Sequence, residues 1–251
     1  MPDALLDLLL GSRCVVCGKP GRLLCGACDR ALPRHAATCW PSPPPTGLAR
    51  PVAVGEYDGP LKLLVNAHKE RGQFALARPL GDLLAISVLA HVGRLPSAGS
   101  RARSPAPVIL VPVPSRSSVV RRRGHDPLLR LTLRAAGRLR GFGMQASAVR
   151  LLRSVRAAED QAGLGAADRA RNLAATMSCR RHRATHAMTA GSPAPTVLVV
   201  DDVITTGATV REAQRALEDG GIEVAGIATV AATRRTDPRP LVHKALGRGP
   251  A

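Results

Sequence analysis

The most constraining stretch of this chain is residues 196–212, Thr-Val-Leu-Val-Val-Asp-Asp-Val-Ile-Thr-Thr-Gly-Ala-Thr-Val-Arg-Glu. Residues 197–200 are an uninterrupted aliphatic run, which reads as a strand buried on both faces, as in a parallel sheet. Two carboxylates, Asp201 and Asp202, follow at its carboxyl end. Open α/β sheets place their ligands there. A short loop of Thr and Gly comes next, and a helical pattern begins at Thr209. The acids are expected on an exposed strand end with no part in packing.

Residue types give this stretch its chemistry. Gly207 lets the backbone turn tightly and approach an anion. N–H groups at the start of the following helix favour a phosphate. The hydroxyls of Thr205, Thr206 and Thr209 add donors. Carboxylates repel phosphate but accept from sugar hydroxyls, so a phosphate cradle beside two acids suits a phosphorylated ribose. The same pair offers oxygen ligands to a divalent cation. A strand–turn–helix without a ligand is the alternative, but it needs neither two adjacent acids nor three threonines.

The stretch resembles the phosphoribosyl-pyrophosphate (PRPP) signature of type I phosphoribosyltransferases: a hydrophobic strand, two acids, then Thr-Thr-Gly-x-Thr. The resemblance implies that Asp201 and Asp202 are the catalytic pair on the ribose hydroxyls. It places Val203, Ile204, Thr205, Thr206, Gly207, Ala208 and Thr209 around the 5′-phosphate, with Mg²⁺ accompanying PRPP.

Composition sets the surroundings. The hydrophobic fraction is 45% but aromatics are only 2%, so the core must be aliphatic. Net charge is +18, carried by 32 arginines against 4 lysines. A positive field suits polyphosphates or nucleic acid. Trp40, Tyr57, Phe74 and Phe142 are scattered, which argues against a dedicated single-strand stacking platform. No apolar run approaches a membrane span. Residues 1–11 are apolar but short, carry Asp3 and Asp7 and lack a basic leader, so a helix over residues 4–10 is expected rather than a signal peptide. A cytoplasmic, reducing location is the default expectation, and clustered cysteines there bind metal more often than they form disulfides.

The cysteines are clustered in that way. Cys14 and Cys17 form one Cys-x-x-Cys pair, and Cys25 and Cys28 form a second after seven residues. Two such knuckles collect four thiolates around one structural Zn²⁺, and Gly18 permits the tight knuckle turn. A redox pair is the competing reading. Cys39 follows alone and reads as a free thiol. Cys179, His182 and His186 are spaced Cys-x₂-His-x₃-His, with no evident fourth ligand in a segment that reads as disordered.

Further on, residues 41–51 are Pro-rich and read as a linker. A strand is expected over residues 52–57, then helices over 58–69 and 75–92. Residues 108–111 are a second buried-strand run, ending in Pro112, Val113, Pro114, Ser115 and Arg116, with Arg121–Arg123 beyond. A loop at a strand's carboxyl end followed by clustered Arg fits polyphosphate binding, although a charge run alone more often marks a solvated loop. Residues 128–139 read as a basic amphipathic helix, whose Arg face either binds DNA or is simply solvated. Residues 149–172 are polar and Arg-rich, either a loop that closes over a substrate or a surface helix pair. Helix 210–217, strand 224–230 and a basic tail complete the pattern.

The resemblance then widens. Tyr57-Asp58-Gly59-Pro60-Leu61 with Lys69 and Gly72, the Val-Pro-Val-Pro strand end, Arg123-Gly124, and Gln161 with Arg169 and Asn172 match, in order, the ComF family of bacterial competence proteins. The paired cysteines match too. This implies that Pro112, Val113, Pro114, Ser115, Arg116 and Arg123 hold pyrophosphate. The usual Arg-Gly-Phe-Asn-Gln is here Arg-Gly-His-Asp-Pro, and the usual third knuckle lacks a Cys. The expected architecture is an α/β phosphoribosyltransferase-like parallel sheet flanked by helices over residues 52–235. A zinc-knuckle module over 1–40, the linker over 41–51 and the tail over 236–251 surround it. Its expected activity is phosphoribosyl transfer to an unidentified acceptor. A DNA-uptake accessory that handles single-stranded DNA and a non-catalytic PRPP sensor are the alternatives.

Overall fold

The computed structural model describes residues 12–93, 106–115, 125–155, 176–180 and 194–233. Helix α1 (Gly26–Arg30) and strand β1 (Ala37–Thr38) belong to the cysteine-bearing segment. Strand β2 (Pro51–Glu56), helix α2 (Gly59–Glu70), a 3₁₀ turn (Phe74–Leu76) and helix α3 (Ala77–Val92) follow. Then come β3 (Val108–Pro112), α4 (Pro127–Gly141), β4 (Ala146–Ala148), β5 (Leu152–Ser154), β6 (Met177–Cys179), β7 (Thr196–Ile204), α5 (Ala208–Glu218) and β8 (Gly226–Ala232).

The main sheet runs β1-β2-β8-β7-β3-β4, parallel except for the short edge pairing of β1 with β2. The aliphatic runs sit where their composition predicts. β7 is central and β3 lies beside it in the interior of the sheet, in register from Val108 opposite Thr196 to Pro112 opposite Val200, and Val197–Val200 and Val108–Val111 are buried. With almost no aromatics, leucine fills the interior: Leu64, Leu83, Leu84, Leu110, Leu139, Leu198 and Leu217 are fully buried. Residues β5 and β6 make a separate antiparallel pair, whose Met177 N–H donates to the buried Glu212 carboxylate of α5 at 3.0 Å.

Three expectations need amending. The 74–92 segment, 19 residues long, is apolar and long enough to cross a membrane by composition. It is instead a core helix, since Leu80, Leu83, Leu84 and Val88 are buried against α4, β2 and β8. Second, Ser178 and Cys179 belong to β6 and so are ordered. Third, the proline-rich residues 41–48 pack onto α5: Gln214 Nε2 donates to the Gly47 carbonyl at 2.9 Å, and Ala49 N–H donates to Gln214 Oε1 at 2.9 Å. Composition alone did not reveal that partner.

Candidate functional site

β7 does not stop before its acids. It continues to Ile204, pairing Asp201 with Thr229 and Val203 with Ala231 of β8. Asp201 and Asp202 are therefore half-buried strand residues, which corrects the expectation of an exposed strand end. Successive strand side chains point to opposite faces, and the two acids have different partners. Asp201 Oδ1 accepts the Asp202 N–H at 2.8 Å. Asp202 faces Lys69, in the last turn of α2, with Nζ at 2.8 Å from Oδ2 and 3.2 Å from Oδ1. Burial, reinforced by the neighbouring Asp202 charge, raises the Asp201 carboxyl to about 8 against the counteracting pull of Lys69.

The turn after β7 has the predicted backbone. Gly207 has φ 76° and ψ −4°, the left-handed conformation that glycine adopts without strain. α5 starts at the next residue, and Arg211 N–H donates to the Gly207 carbonyl at 2.9 Å. A β-carbon on Gly207 would lie 3.0 Å from Pro41 Cγ and 3.3 Å from both Pro45 Cδ and Leu48 Cδ2. The glycine's side-chain position thus faces the proline-rich segment.

Both predicted motifs meet in one cleft of about 540 Å³. Asp201, Asp202, Val203, Thr205 and Thr209 line one side, and Val113, Pro114 and Ser115, beyond β3, line the other. Tyr57, Val65, Lys69, Pro127 and Leu128 complete it. The remaining signature residues have other places. Ile204 is buried in the core, Thr206 is exposed, and Gly207 and Ala208 make the turn into α5. Pro112 is the last residue of β3. Arg116 and Arg123 lie outside the described residues, as do His182, His186, Gln161, Arg169, Asn172 and residues 156–172 of the expected closing loop.

The four paired cysteines form a second cluster. Their Sγ atoms all lie within 4.8 Å of one another, and Cys17 and Cys25 are 3.7 Å apart. A tetrahedral zinc with bonds of roughly 2.3 Å places its sulfurs about 3.8 Å apart, so the set fits one such ion. The Cys14 thiol is lowered to about 6: burial opposes this, but the backbone N–H groups of Cys25, Cys17 and Val16 outweigh it. The neighbouring Cys17 and Cys25 sulfurs push Cys28 up to about 12. Four thiolates cannot share that volume without a cation.

Residues 147–245 match the phosphoribosyl transferase domain family, a span that contains β7, its acids and its turn. Competence protein F of Haemophilus influenzae (strain Rd) is 28% identical over 206 residues, covering 79% of this chain and 80% of that protein. The chain thus carries a phosphoribosyl transferase-like domain and is similar over most of its length to a competence protein F.

The fold gives a place to residues that received no role from sequence. Tyr57 and Lys69 were visible only as matched motif positions. In the fold Tyr57 Oη donates to Asn66 Oδ1 at 2.7 Å, which ties the strand end to α2 beside the cleft. The departure at Asp126 has a structural use. Its Oδ1 caps α4 by accepting Leu129 N–H at 3.1 Å, and accepts the Ser115 hydroxyl at 3.2 Å. His125 packs its ring edge-on to Phe74, with centroids 4.4 Å apart.

Proposed function

We propose that this protein binds PRPP with Mg²⁺ in the cleft and transfers its phosphoribosyl group to an acceptor, releasing pyrophosphate. The observation that carries this reading is the meeting of the acid pair, the threonine turn and the Val113–Ser115 segment around one cavity. The Thr205–Thr209 turn and the start of α5 hold the 5′-phosphate, where N–H groups and hydroxyls converge. Asp201 and Asp202 accept from the ribose hydroxyls and face the positive charge that develops as the C1–oxygen bond breaks. Pyrophosphate leaves with that electron pair, and the acceptor's lone pair forms the new bond at C1. The oxygen-rich donor set suits Mg²⁺, which would neutralise charge on the departing pyrophosphate. Arg116 and Arg123 are assigned to the pyrophosphate on the strength of their motif. Zn²⁺ on Cys14, Cys17, Cys25 and Cys28 is structural, because four thiolates fill a tetrahedron and leave no open position. Calorimetry with PRPP and Mg²⁺, followed by a screen of bases for pyrophosphate release, tests the reading. Binding without turnover on any acceptor would favour a PRPP sensor, and no binding would overturn it.

A second reading, an accessory role in DNA uptake, draws on the relative's name and on α4. That helix exposes Arg130, Arg134 and Arg138 in one stripe with Leu133. Binding of single-stranded DNA that falls steeply with salt and is not displaced by PRPP would support this reading over the first.

A further inference from the structure

Lys69 is the only cationic side chain among the described residues that line the cleft. Its ammonium is engaged with both oxygens of Asp202, at 2.8 Å and 3.2 Å. The partners differ in freedom: the Lys69 side chain is 41% exposed and that of Asp202 14%. The carboxylate is fixed in β7, whereas the lysine projects from the end of α2 on a flexible four-carbon stem. A ligand with phosphates at both ends meets an uneven cleft. Its 5′-phosphate finds the turn at Thr205–Thr209, with the start of α5 behind it. At the opposite wall the Ser115 hydroxyl already donates to Asp126. The described part of that wall therefore offers a diphosphate little positive charge.

We propose that Lys69 is an exchangeable counter-ion. It holds Asp202 while the cleft is empty and moves to the diphosphate of an incoming ligand, freeing Asp202 to accept a ribose hydroxyl. The inference rests on the PRPP reading above and adds a ligand-binding residue to it. No bond is made or broken. One charge-assisted pair replaces another, and two carboxylates otherwise facing a polyanion are screened as it arrives.

The test compares the affinities of PRPP and ribose 5-phosphate, each with Mg²⁺, for the full-length parent, Lys69→Met, Lys69→Arg, Asp202→Asn and the Lys69→Met/Asp202→Asn double variant. Thermal melts confirm that each is folded. Lys69→Met should lose PRPP affinity by about tenfold or more, in the parent and in the Asp202→Asn background alike. Ribose 5-phosphate, lacking the diphosphate, should be little affected, and Lys69→Arg should retain most of the PRPP affinity. A loss seen only when Asp202 is intact would show that Lys69 merely positions the carboxylate, and would overturn the proposal. An equal loss for both ligands, or none for either, would overturn it too. A parent protein that binds neither ligand would overturn the PRPP reading and this inference together.

Discussion

Gly207 and Pro41 are packed so closely that a β-carbon on the glycine would stand 3.0 Å from Pro41 Cγ. The turn that begins α5 is thus sealed from behind by the proline-rich segment, and its φ of 76° is set on the side away from the cleft. Gly207→Ala should destabilise the fold by about 1–3 kcal/mol through the left-handed backbone and the crowded ring. PRPP affinity should fall with it, because the turn shifts. Thermal melts and calorimetry check both. An unchanged melting temperature would show that the segment over residues 41–48 yields freely and does not brace the turn.

Gln214 is the other half of that brace. It accepts from Ala49 N–H and donates to the Gly47 carbonyl, each at 2.9 Å. Gln214→Leu keeps the bulk and removes both bonds, leaving partly buried backbone groups unpaired at a cost of about 1–3 kcal/mol. Trp40, the single tryptophan, reports on the segment directly. Its emission should move to longer wavelength and become easier to quench in Gln214→Leu, at temperatures below global unfolding. A spectrum identical to the parent's would place the anchoring elsewhere.

The legible parts were those in which local chemistry and tertiary role coincide. The run at residues 197–200 could only be an interior strand, and the glycine at 207 marks a backbone that the fold does adopt. The cysteine spacing reads as a metal knuckle because four sulfurs must converge within one short loop. What escaped depended on partners distant in sequence. Nothing in residues 41–48 announces Gln214, and nothing near Lys69 announces Asp202, 133 residues away. The strand end was misjudged for a related reason. Asp201 and Asp202 have poor strand propensity, and pairing with β8 overrides it. Asp126 shows the reverse case: a departure from the family motif became intelligible only as a helix cap.

The cysteine cluster predicts a metal-dependent fold for its segment. Purified protein should contain about one zinc per chain. Cys25→Ser should lose it and loosen residues 12–32, whose Leu32 is buried in the hydrophobic core. Elemental analysis with hydrogen exchange over that segment measures both effects. Full zinc stoichiometry in the variant would remove Cys25 from the ligand set.

Asp201 gives the sharpest expectation, and its sign is opposite to that of a simple exposed acid. Its carboxyl stands at about 8 in the fold because of burial and the adjacent Asp202 charge, against about 4 in an unfolded chain. An acid whose pKa is raised on folding binds its proton more tightly in the native state. Stability therefore falls as pH climbs from about 4 toward 8, and this contribution is constant above that range. Asp201→Asn keeps the oxygen that accepts the Asp202 N–H and removes the titration. At pH 8 the variant should be more stable than the parent by about 1–3 kcal/mol, a rise of roughly 3–10 °C in Tm. At pH 4 the two should nearly coincide. Above about pH 8, where the parent carboxyl is ionised, PRPP affinity should move the other way, falling roughly tenfold or more as the charged acceptor is lost. A stability gain paired with a binding loss would mark Asp201 as a residue kept for a ligand at the expense of the fold. Parallel melting curves from pH 4 to 8 would show instead that Asp201 ionises freely in the native protein.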